Sequence, residues 1–167
     1  YRVHEDNQVE IIAGDAETGQ GPIDSIEIND QGELYCFKLW VIPDYRRQLI
    51  HVPLDGSSPT VVKNFRRNSR CPAMKFLNRD NKRLVLSLYL SSLTPLQYEL
   101  YEYDVSTGDL GNTTKIATNL SNSLPLTLDD ENNIYVRQGV NEGIKKAAYP
   151  TSPPLDMNGI PNYIILK

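Results

Sequence analysis

The sequence predicts an all-β fold, namely a partial β-propeller of about three and a half four-stranded antiparallel blades with one blade about every 50 residues. Three observations lead to this prediction. Hairpin-like segments recur at equal spacing, a less regular second half-unit follows each of the first two, and no segment shows a sustained amphipathic helical pattern. The aromatic residues agree, since ten Tyr stand against three Phe and one Trp, and Tyr suits half-buried pleated surfaces.

Three predicted hairpins define the repeat, at residues 24–38, 72–87 and 124–137. Each has a short alternating strand, a polar turn of Asn, Asp or Gly, and a second apolar strand. The second strands open at Leu34, Leu84 and Ile134, which are 50 residues apart each time. Three hairpins at one spacing indicate a repeated unit rather than a coincidence.

The second half of each unit is predicted to add two outer strands. Residues 48–56 and 99–108 read as third strands that run into a turn, and residues 60–63 and 115–118 read as fourth strands. Residues 1–4 and 8–13 resemble this second half, so the chain is expected to enter the repeat within a unit. The predicted units of this single propeller segment are residues 1–20 (partial), 21–68, 69–119 and 120–167.

The last predicted unit contains an interruption. Residues 149–161 hold four of the eleven prolines and are predicted to form a long surface loop. Residues 162–167 follow it as a strand candidate. Because propellers usually close with about four to eight blades, closure is expected to need further blades of the same protein, a second copy or another partner.

One passage carries a family resemblance. In residues 9–35 an outer strand ends in a Gly-rich loop, and the next inner strand runs to the turn Asp30-Gln-Gly-Glu-Leu-Tyr35. This passage resembles the inter-blade connection of NHL-type and SMP-30-like six-bladed β-propellers. The resemblance extends over most of residues 1–138 at the level of blade organisation.

Composition bears on partners and compartment. The formal net charge of −4 argues against a nucleic-acid-binding surface, and the longest apolar runs are of strand length, too short to span a membrane. Glycosylation sequons at Asn112 and Asn119 mildly favour an extracellular or secreted location. For Cys36 and Cys71, buried free thiols are favoured over a disulfide because bridge geometry is restrictive.

Evidence for an enzyme is thin. The sequence has no Gly-x-Ser-x-Gly elbow, phosphate-binding loop or dinucleotide fingerprint. His4 and His51 occupy equivalent positions in two units, which indicates a structural role rather than a zinc site. The acidic run Asp129-Asp130-Glu131 falls in a hairpin turn, where a solvated turn is favoured over a metal site.

The resemblance to SMP-30-like lactonases also implies a divalent cation such as calcium, held at the channel mouth by Glu, Asn and Asp from several blades. Oxygen ligands of this kind suit calcium or magnesium. The predicted inner strands offer Asp24, Glu27 and Lys75, but the family's ligand set does not match positions in this chain. A metal-dependent hydrolase or lactonase is therefore an alternative, and no resident cofactor is predicted.

The favoured function is a non-catalytic module that binds a protein or a glycan. Trp40, Tyr45, Arg46 and Arg47 lie in the predicted connection 38–47, and Arg with aromatic residues is enriched where partners dock. Packing between strands is an equal alternative for Trp40. Residues 88–98 form the corresponding connection in the next unit. For the four basic residues of 63–70, a solvated connection is favoured over contact with an acidic partner. A lectin assembled from two copies is a further alternative.

Overall fold

The computed structural model describes residues 2–3, 9–10, 22–41, 46–53, 55, 57–66, 69–78, 80–90, 98–108, 111–120, 123–138, 143–149 and 154–164. These residues form an all-β fold of mainly antiparallel strands. The strands are β1 Arg2–Val3, β2 Val9–Glu10, β3 Ile23–Ile28, β4 Leu34–Val41, β5 Arg46–Val52, β6 Thr60–Phe65, β7 Ser69–Phe76, β8 Arg83–Leu90, β9 Tyr98–Asp104, β10 Thr114–Leu120, β11 Ser123–Leu128, β12 Ile134–Gln138, β13 Ile144–Ala147, β14 Leu155–Asp156 and β15 Asn162–Ile164. Short 3-10 turns occur at Val105–Thr107 and Met157–Gly159.

The strands form three larger sheets and the small pair β1–β2. Sheet 1 has the order β3-β4-β5-β6, and sheet 2 has β7-β8-β9-β10 with β14 added beyond β10. Sheet 3 has the order β11-β12-β13-β15. The first strands of the sheets are neighbours in space, because β7 contacts both β3 and β11. Apart from β14, the strands of each sheet are antiparallel and follow chain order, and each sheet lies beside the next sheet along the chain.

The three predicted hairpins are present, and similar turns close the first and the third. Asn29 accepts hydrogen bonds at Oδ1 from the backbone N–H groups of Gln31 (3.1 Å) and Glu33 (2.9 Å). In the turn of sheet 3, Asp129 Oδ1 accepts in the same way from the backbone N–H groups of Glu131 and Asn133. Gly32 and Asn132 supply the positive φ angles of 80° and 61° that these turns need.

Hydrogen bonds between turns hold neighbouring sheets in order. The side chain of Asn81, in the turn of sheet 2, accepts from the backbone N–H of Asp30 at 2.9 Å. The side chain of Asn132, in the turn of sheet 3, accepts from the backbone N–H of Asn78 at 2.7 Å. These bonds fix how far consecutive sheets are shifted against each other along the strand direction.

The core lies in the two junctions between sheets. Between sheets 1 and 2 it includes Tyr35, Phe37, Leu49, Met74, Phe76, Leu84, Leu86 and Tyr103. Between sheets 2 and 3 it includes Val85, Leu100, Ile116, Leu120, Leu126, Ile134, Val136 and Met157. Alternate residues of β8 serve both junctions, because successive side chains of a strand point to opposite faces. Each large side chain buried in this way contributes about 1.5–3 kcal/mol.

The two cysteines are buried and free, as predicted. Burial raises the pKa of the Cys36 thiol to about 11. Burial also raises the pKa of the Cys71 thiol, and more strongly. Both thiols are therefore protonated at neutral pH and behave as small apolar side chains.

The connections predicted at residues 38–47, 88–98 and 63–70 are too long, because strands of the structure extend into each of them. Strand β4 continues to Val41 and β5 begins at Arg46, because the Val41–Arg46 pair extends the ladder beyond Lys38. Strand β8 likewise continues to Leu90. Within the segment 63–70, β6 reaches Phe65 and β7 already begins at Ser69. Cross-strand hydrogen bonding thus lengthens elements whose ends the sequence pattern does not mark.

The prediction of a surface loop at residues 149–161 is wrong in part. Strand β14 pairs in parallel with β10, and the side chain of Asn119 donates to the carboxylate of Asp156 at 3.0 Å. Met157 is fully buried in the second junction, and the buried ammonium of Lys145 donates to its carbonyl. The segment therefore docks on sheet 2 before β15 completes sheet 3.

Candidate binding surface

The sheets have two ends that differ in their side chains. Because the strands alternate in direction, the 28–34, 76–84 and 128–134 hairpins close at one end, the turn end. The last residues of the second and fourth strands and the first residues of the third strands lie at the other end, the connection end. Of the residues predicted to bind a partner, Arg46 and Arg47 belong to the connection end.

Arg46 and Arg47 begin β5 at the connection end, where Arg46 is exposed and Arg47 is half-buried. The backbone of Trp40 lies in β4, whereas the side chain of Trp40 and all of Tyr45 lie outside the described residues. The structure therefore places two of the four predicted residues and leaves the other two as predictions.

Arg66 adds a second exposed guanidinium beside Arg46. Arg47 pairs with Phe65 across β5 and β6, so Arg66 follows at the same end of the sheet as Arg46. The carbonyl of Arg66 accepts from the N–H of Ser69 at 3.0 Å, and this bond turns the chain into β7. Arg46, which begins β5, and Arg66, which follows β6, thus lie at the same end of sheet 1, where the chain passes to sheet 2.

A row of one arginine and two tyrosines lies at the connection end of sheet 2. Arg70 pairs with Tyr89 across β7 and β8, and Tyr89 pairs with Tyr98 across β8 and β9. The rings of Tyr89 and Tyr98 are 5.3 Å apart at 44°. Directly opposite residues on neighbouring strands share a face, so the three side chains form one strip. We call Arg46, Arg66 and this strip the arginine–tyrosine surface.

Asp24 anchors this surface to β3. One carboxylate oxygen of Asp24 lies 3.1 Å from the guanidinium of Arg70, and the other accepts from the backbone N–H of Cys71 at 2.9 Å. The hydroxyl of Ser25 donates to the carbonyl of Cys71 at 2.6 Å. The hydrogen bond and charge of Asp24 raise the pKa of Arg70. The first strands of sheets 1 and 2 are thereby joined by side chains as well as by packing.

The carboxylates proposed from the resemblance for a cation are already paired. Glu27 lies 2.7 Å from the ammonium of Lys75, and Asp24 is held by Arg70. Calcium would have to displace both basic side chains to bind these oxygens. Across the described part of the chain, no three His, Cys, Asp or Glu side chains are grouped to hold a metal ion.

A cleft of about 410 Å³ lies at the turn end, between the turns of sheets 1 and 2. Its walls include Glu33, Tyr35, Asp80 and Lys82. Burial, followed by the charge of Glu33, raises the pKa of Tyr35 to about 12, so its hydroxyl stays protonated. Charges of both signs surround the cleft, and it therefore favours neither anions nor cations.

His51 has the structural setting that the sequence predicts for it. Its ring stacks on that of Tyr35 at 5.0 Å, and its Nε2 lies 3.8 Å from a carboxylate oxygen of Glu33. His4, its predicted counterpart, lies outside the described residues.

The acidic run in the third turn is used internally. Asp129 accepts from the backbone N–H of Asn133 at 2.8 Å and from the hydroxyl of Tyr135 at 3.0 Å, and Lys146 lies 3.6 Å away. Desolvation alone would raise the pKa of Asp129, but these hydrogen bonds outweigh it and lower the pKa to about 2. The oxygens of Asp129 thus stabilise the turn.

Replacing Asp129 with asparagine is expected to flatten the acid dependence of stability. The depressed pKa adds stability that is fully present above about pH 4 and is lost as the pH falls towards 2. Asn29 holds the same position in the first turn, so Asp129→Asn should keep the turn. We therefore expect urea unfolding between pH 7 and pH 2 to show that the difference in the free energy of unfolding between wild type and variant disappears below pH 4. Replacing the exposed Asp130 with asparagine is the control, and an equal effect there would contradict the expectation.

Comparison with protein-family models, curated proteins and solved structures gives no match for this chain. The described residues include no helix that is long and apolar enough to cross a membrane. Sequence reasoning did not single out Tyr89 and Tyr98, and for the basic residues of 63–70, which include Arg66 and Arg70, it favoured a solvated loop over contact with an acidic partner. The basic run 63–70 was a signal for the two arginines, whereas only the strand register brings the tyrosines beside them.

Proposed function

We propose that the three sheets are consecutive blades of a partial β-propeller, as the resemblance to NHL-type and SMP-30-like proteins implies. Support comes from the four antiparallel strands that each sheet takes in chain order. The first strands β3, β7 and β11 lie side by side, as inner strands around a propeller axis do. Leu34, Leu84 and Ile134, which open the second strands, are 50 residues apart each time, and this spacing agrees with the arrangement.

We propose further that the chain is a non-catalytic platform that binds an acidic segment of a partner protein at the arginine–tyrosine surface. The observation that carries this proposal is the presence of two exposed arginines, Arg46 and Arg66, at the connection end of sheet 1 in a chain whose net charge is −4. Guanidinium groups match carboxylates in a planar, two-bond geometry, and tyrosine adds contact area at little cost in entropy. The overall charge of −4 is screened beyond about 10 Å at 0.1 M salt, so local charge decides binding.

A titration with fluorescent poly-L-glutamate tests this proposal. We expect binding that weakens as salt rises, and a loss of affinity of at least about tenfold in the double variant Arg46→Glu/Arg66→Glu. Lys82→Glu is the matched control for the single variant Arg46→Glu, because each reverses one charge and Lys82 lies at the exposed turn end. Circular dichroism should show that all variants keep the wild-type fold.

Three outcomes would overturn the proposal. Poly-L-glutamate that fails to bind the wild type at low salt would exclude an acidic peptide ligand. An equal loss of affinity in Lys82→Glu would show that net charge, and not this surface, governs binding. Binding of heparin without binding of poly-L-glutamate would identify a sulfated glycan as the partner in place of a protein.

A further inference from the structure

The two glycosylation sequons lie near the two ends of β10. Asn112 precedes β10 and has Thr114 as its sequon hydroxyl, whereas Asn119 stands within β10 and has Ser121 as its sequon hydroxyl. A glycan on such an asparagine is bulky and hydrophilic, so the folded chain tolerates it only where the amide faces open solvent. The surroundings of the two asparagines therefore decide which sequon can be used.

Asn112 has the surroundings of an acceptor. It lies at the turn end, because β10 begins where β9 ends, and it belongs to neither a helix nor a strand. Its side chain is exposed, and so is that of Thr114. The exposed residues Ser106 and Thr107 lie at the same end of sheet 2. A sugar on Asn112 would thus extend from the turn end into solvent.

The residue before Asn112 is held in place. The N–H of Gly111 donates to the carbonyl of Gly108 at 3.0 Å, and the ammonium of Lys63 donates to the carbonyl of Gly111. Glycine is required at this position, because a Cβ there would clash with the hydroxyl of Thr107. Asn112 is therefore presented from a fixed base, and a glycan on it does not have to displace a packed side chain.

Asn119 has the opposite surroundings. Its Nδ2, the atom that would carry the sugar, donates to the carboxylate of Asp156 at 3.0 Å, and this hydrogen bond lowers the pKa of Asp156. Its φ of 61° turns the side chain in a bulge of β10 where β14 pairs alongside. The next residue, Leu120, is fully buried. A sugar on Asn119 would occupy the space that Asp156 and β14 take.

We propose that Asn112 is a site of N-linked glycosylation and that Asn119 is not glycosylated in the folded protein. The donor is an oligosaccharide joined to a lipid through pyrophosphate, as found in secretory compartments. Nδ2 of Asn112 forms a C–N bond to the anomeric carbon of the first sugar, the C–O bond to the pyrophosphate breaks, and the amide releases one proton to solvent. The lipid pyrophosphate is the leaving group, and nothing is oxidised or reduced.

The fold selects between the two sequons even though the sugar is added while the chain is still folding. A chain with a sugar on Asn119 cannot seat β14 on β10, and it loses the burial of Met157 between sheets 2 and 3. A chain with a sugar on Asn112 keeps both junctions unchanged. Because Asn112 lies at the turn end, its glycan also leaves the arginine–tyrosine surface uncovered, and the proposal does not depend on the ligand bound there.

Expression of the chain behind a cleavable secretion signal in cultured eukaryotic cells tests the proposal. The chain is recovered from cells and medium together, and its mass is measured before and after treatment with peptide-N-glycosidase. This enzyme converts each glycosylated asparagine to aspartate, so the masses of the peptides identify the site. We expect one glycan on most molecules, attached to Asn112.

Four variants separate the two sequons. Asn112→Gln and Thr114→Ala should each abolish the mass shift completely, whereas Thr114→Ser keeps the hydroxyl and should retain the glycan. Ser121→Ala is the matched control, because it destroys only the second sequon and leaves the Asn119 side chain in place. It should leave the mass shift unchanged. Circular dichroism should show the wild-type fold for all four variants.

The same measurements can refute the proposal. A wild-type chain without a glycan would show that Asn112 is not an acceptor. A glycan that persists in Asn112→Gln, or aspartate found at position 119 after peptide-N-glycosidase treatment, would show that the contact between Asn119 and Asp156 does not prevent glycosylation. Loss of the glycan in Ser121→Ala would likewise assign it to the wrong sequon.

Discussion

Replacing Tyr103 with alanine is expected to lower the free energy of unfolding by about 3–5 kcal/mol, the largest loss from any single change considered for this chain. Tyr103 is fully buried in the junction between sheets 1 and 2. Its hydroxyl donates to the carbonyl of Gly108 at 2.5 Å, and the carbonyl of Val62 lies 3.3 Å from the same oxygen. Alanine would leave a cavity at the junction and the carbonyl of Gly108 without this donor.

The variant Tyr103→Phe separates packing from hydrogen bonding. It keeps the ring and removes only the hydroxyl, so we expect a loss of about 1 kcal/mol. Urea unfolding followed by circular dichroism measures both variants under the same conditions. A loss below about 1.5 kcal/mol for alanine would show that the two sheets do not depend on each other for stability.

The second largest effect is expected at Asp24, where alanine should cost about 2–3 kcal/mol. The Asp24 side chain is only 8% exposed, and its carboxylate is the acceptor for the backbone N–H of Cys71. Without it, a part-buried N–H between β3 and β7 loses its partner. The link between the first strands of sheets 1 and 2 would then rest on Ser25 and on packing.

Two further variants divide the contribution of Asp24. Asp24→Asn keeps an oxygen that can accept from Cys71 and removes the charge, so it should cost less than half as much as alanine. Arg70→Gln removes only the ion pair to a half-exposed guanidinium, which is worth about 0–1 kcal/mol. Equal losses for Asp24→Ala and Arg70→Gln in thermal or urea unfolding would contradict a dominant role of the N–H bond.

Local chemistry explains why the hairpins could be predicted. Gly32 and Asn132 tolerate positive φ, and Asn29 and Asp129 accept the turn N–H groups, so all that closes these turns lies within five residues of sequence. Strand ends depend instead on a partner strand, and the predicted connections were therefore too long.

Long-range pairing explains what could not be predicted. The sequence 155–156 carries no sign of its parallel partner 117–118, and the proline-rich context of Met157 favours a loop over a core position. In the surface, Arg46 and Arg47 stood out because they neighbour aromatic residues. Tyr89 and Tyr98 became recognisable only once the register of β8 and β9 placed them beside Arg70.

Residues 154–160 link the stability of sheet 2 to that of sheet 3. The chain leaves β13 of sheet 3, adds β14 to the edge of sheet 2, and only then returns as β15 to finish sheet 3. The fourth strand of sheet 3 is therefore connected to the rest of that sheet through a strand that belongs to sheet 2. Since neither sheet can open at its outer edge without disturbing the other, sheets 2 and 3 should behave as one cooperative unit in folding, while sheet 1 is joined to them through its junction alone.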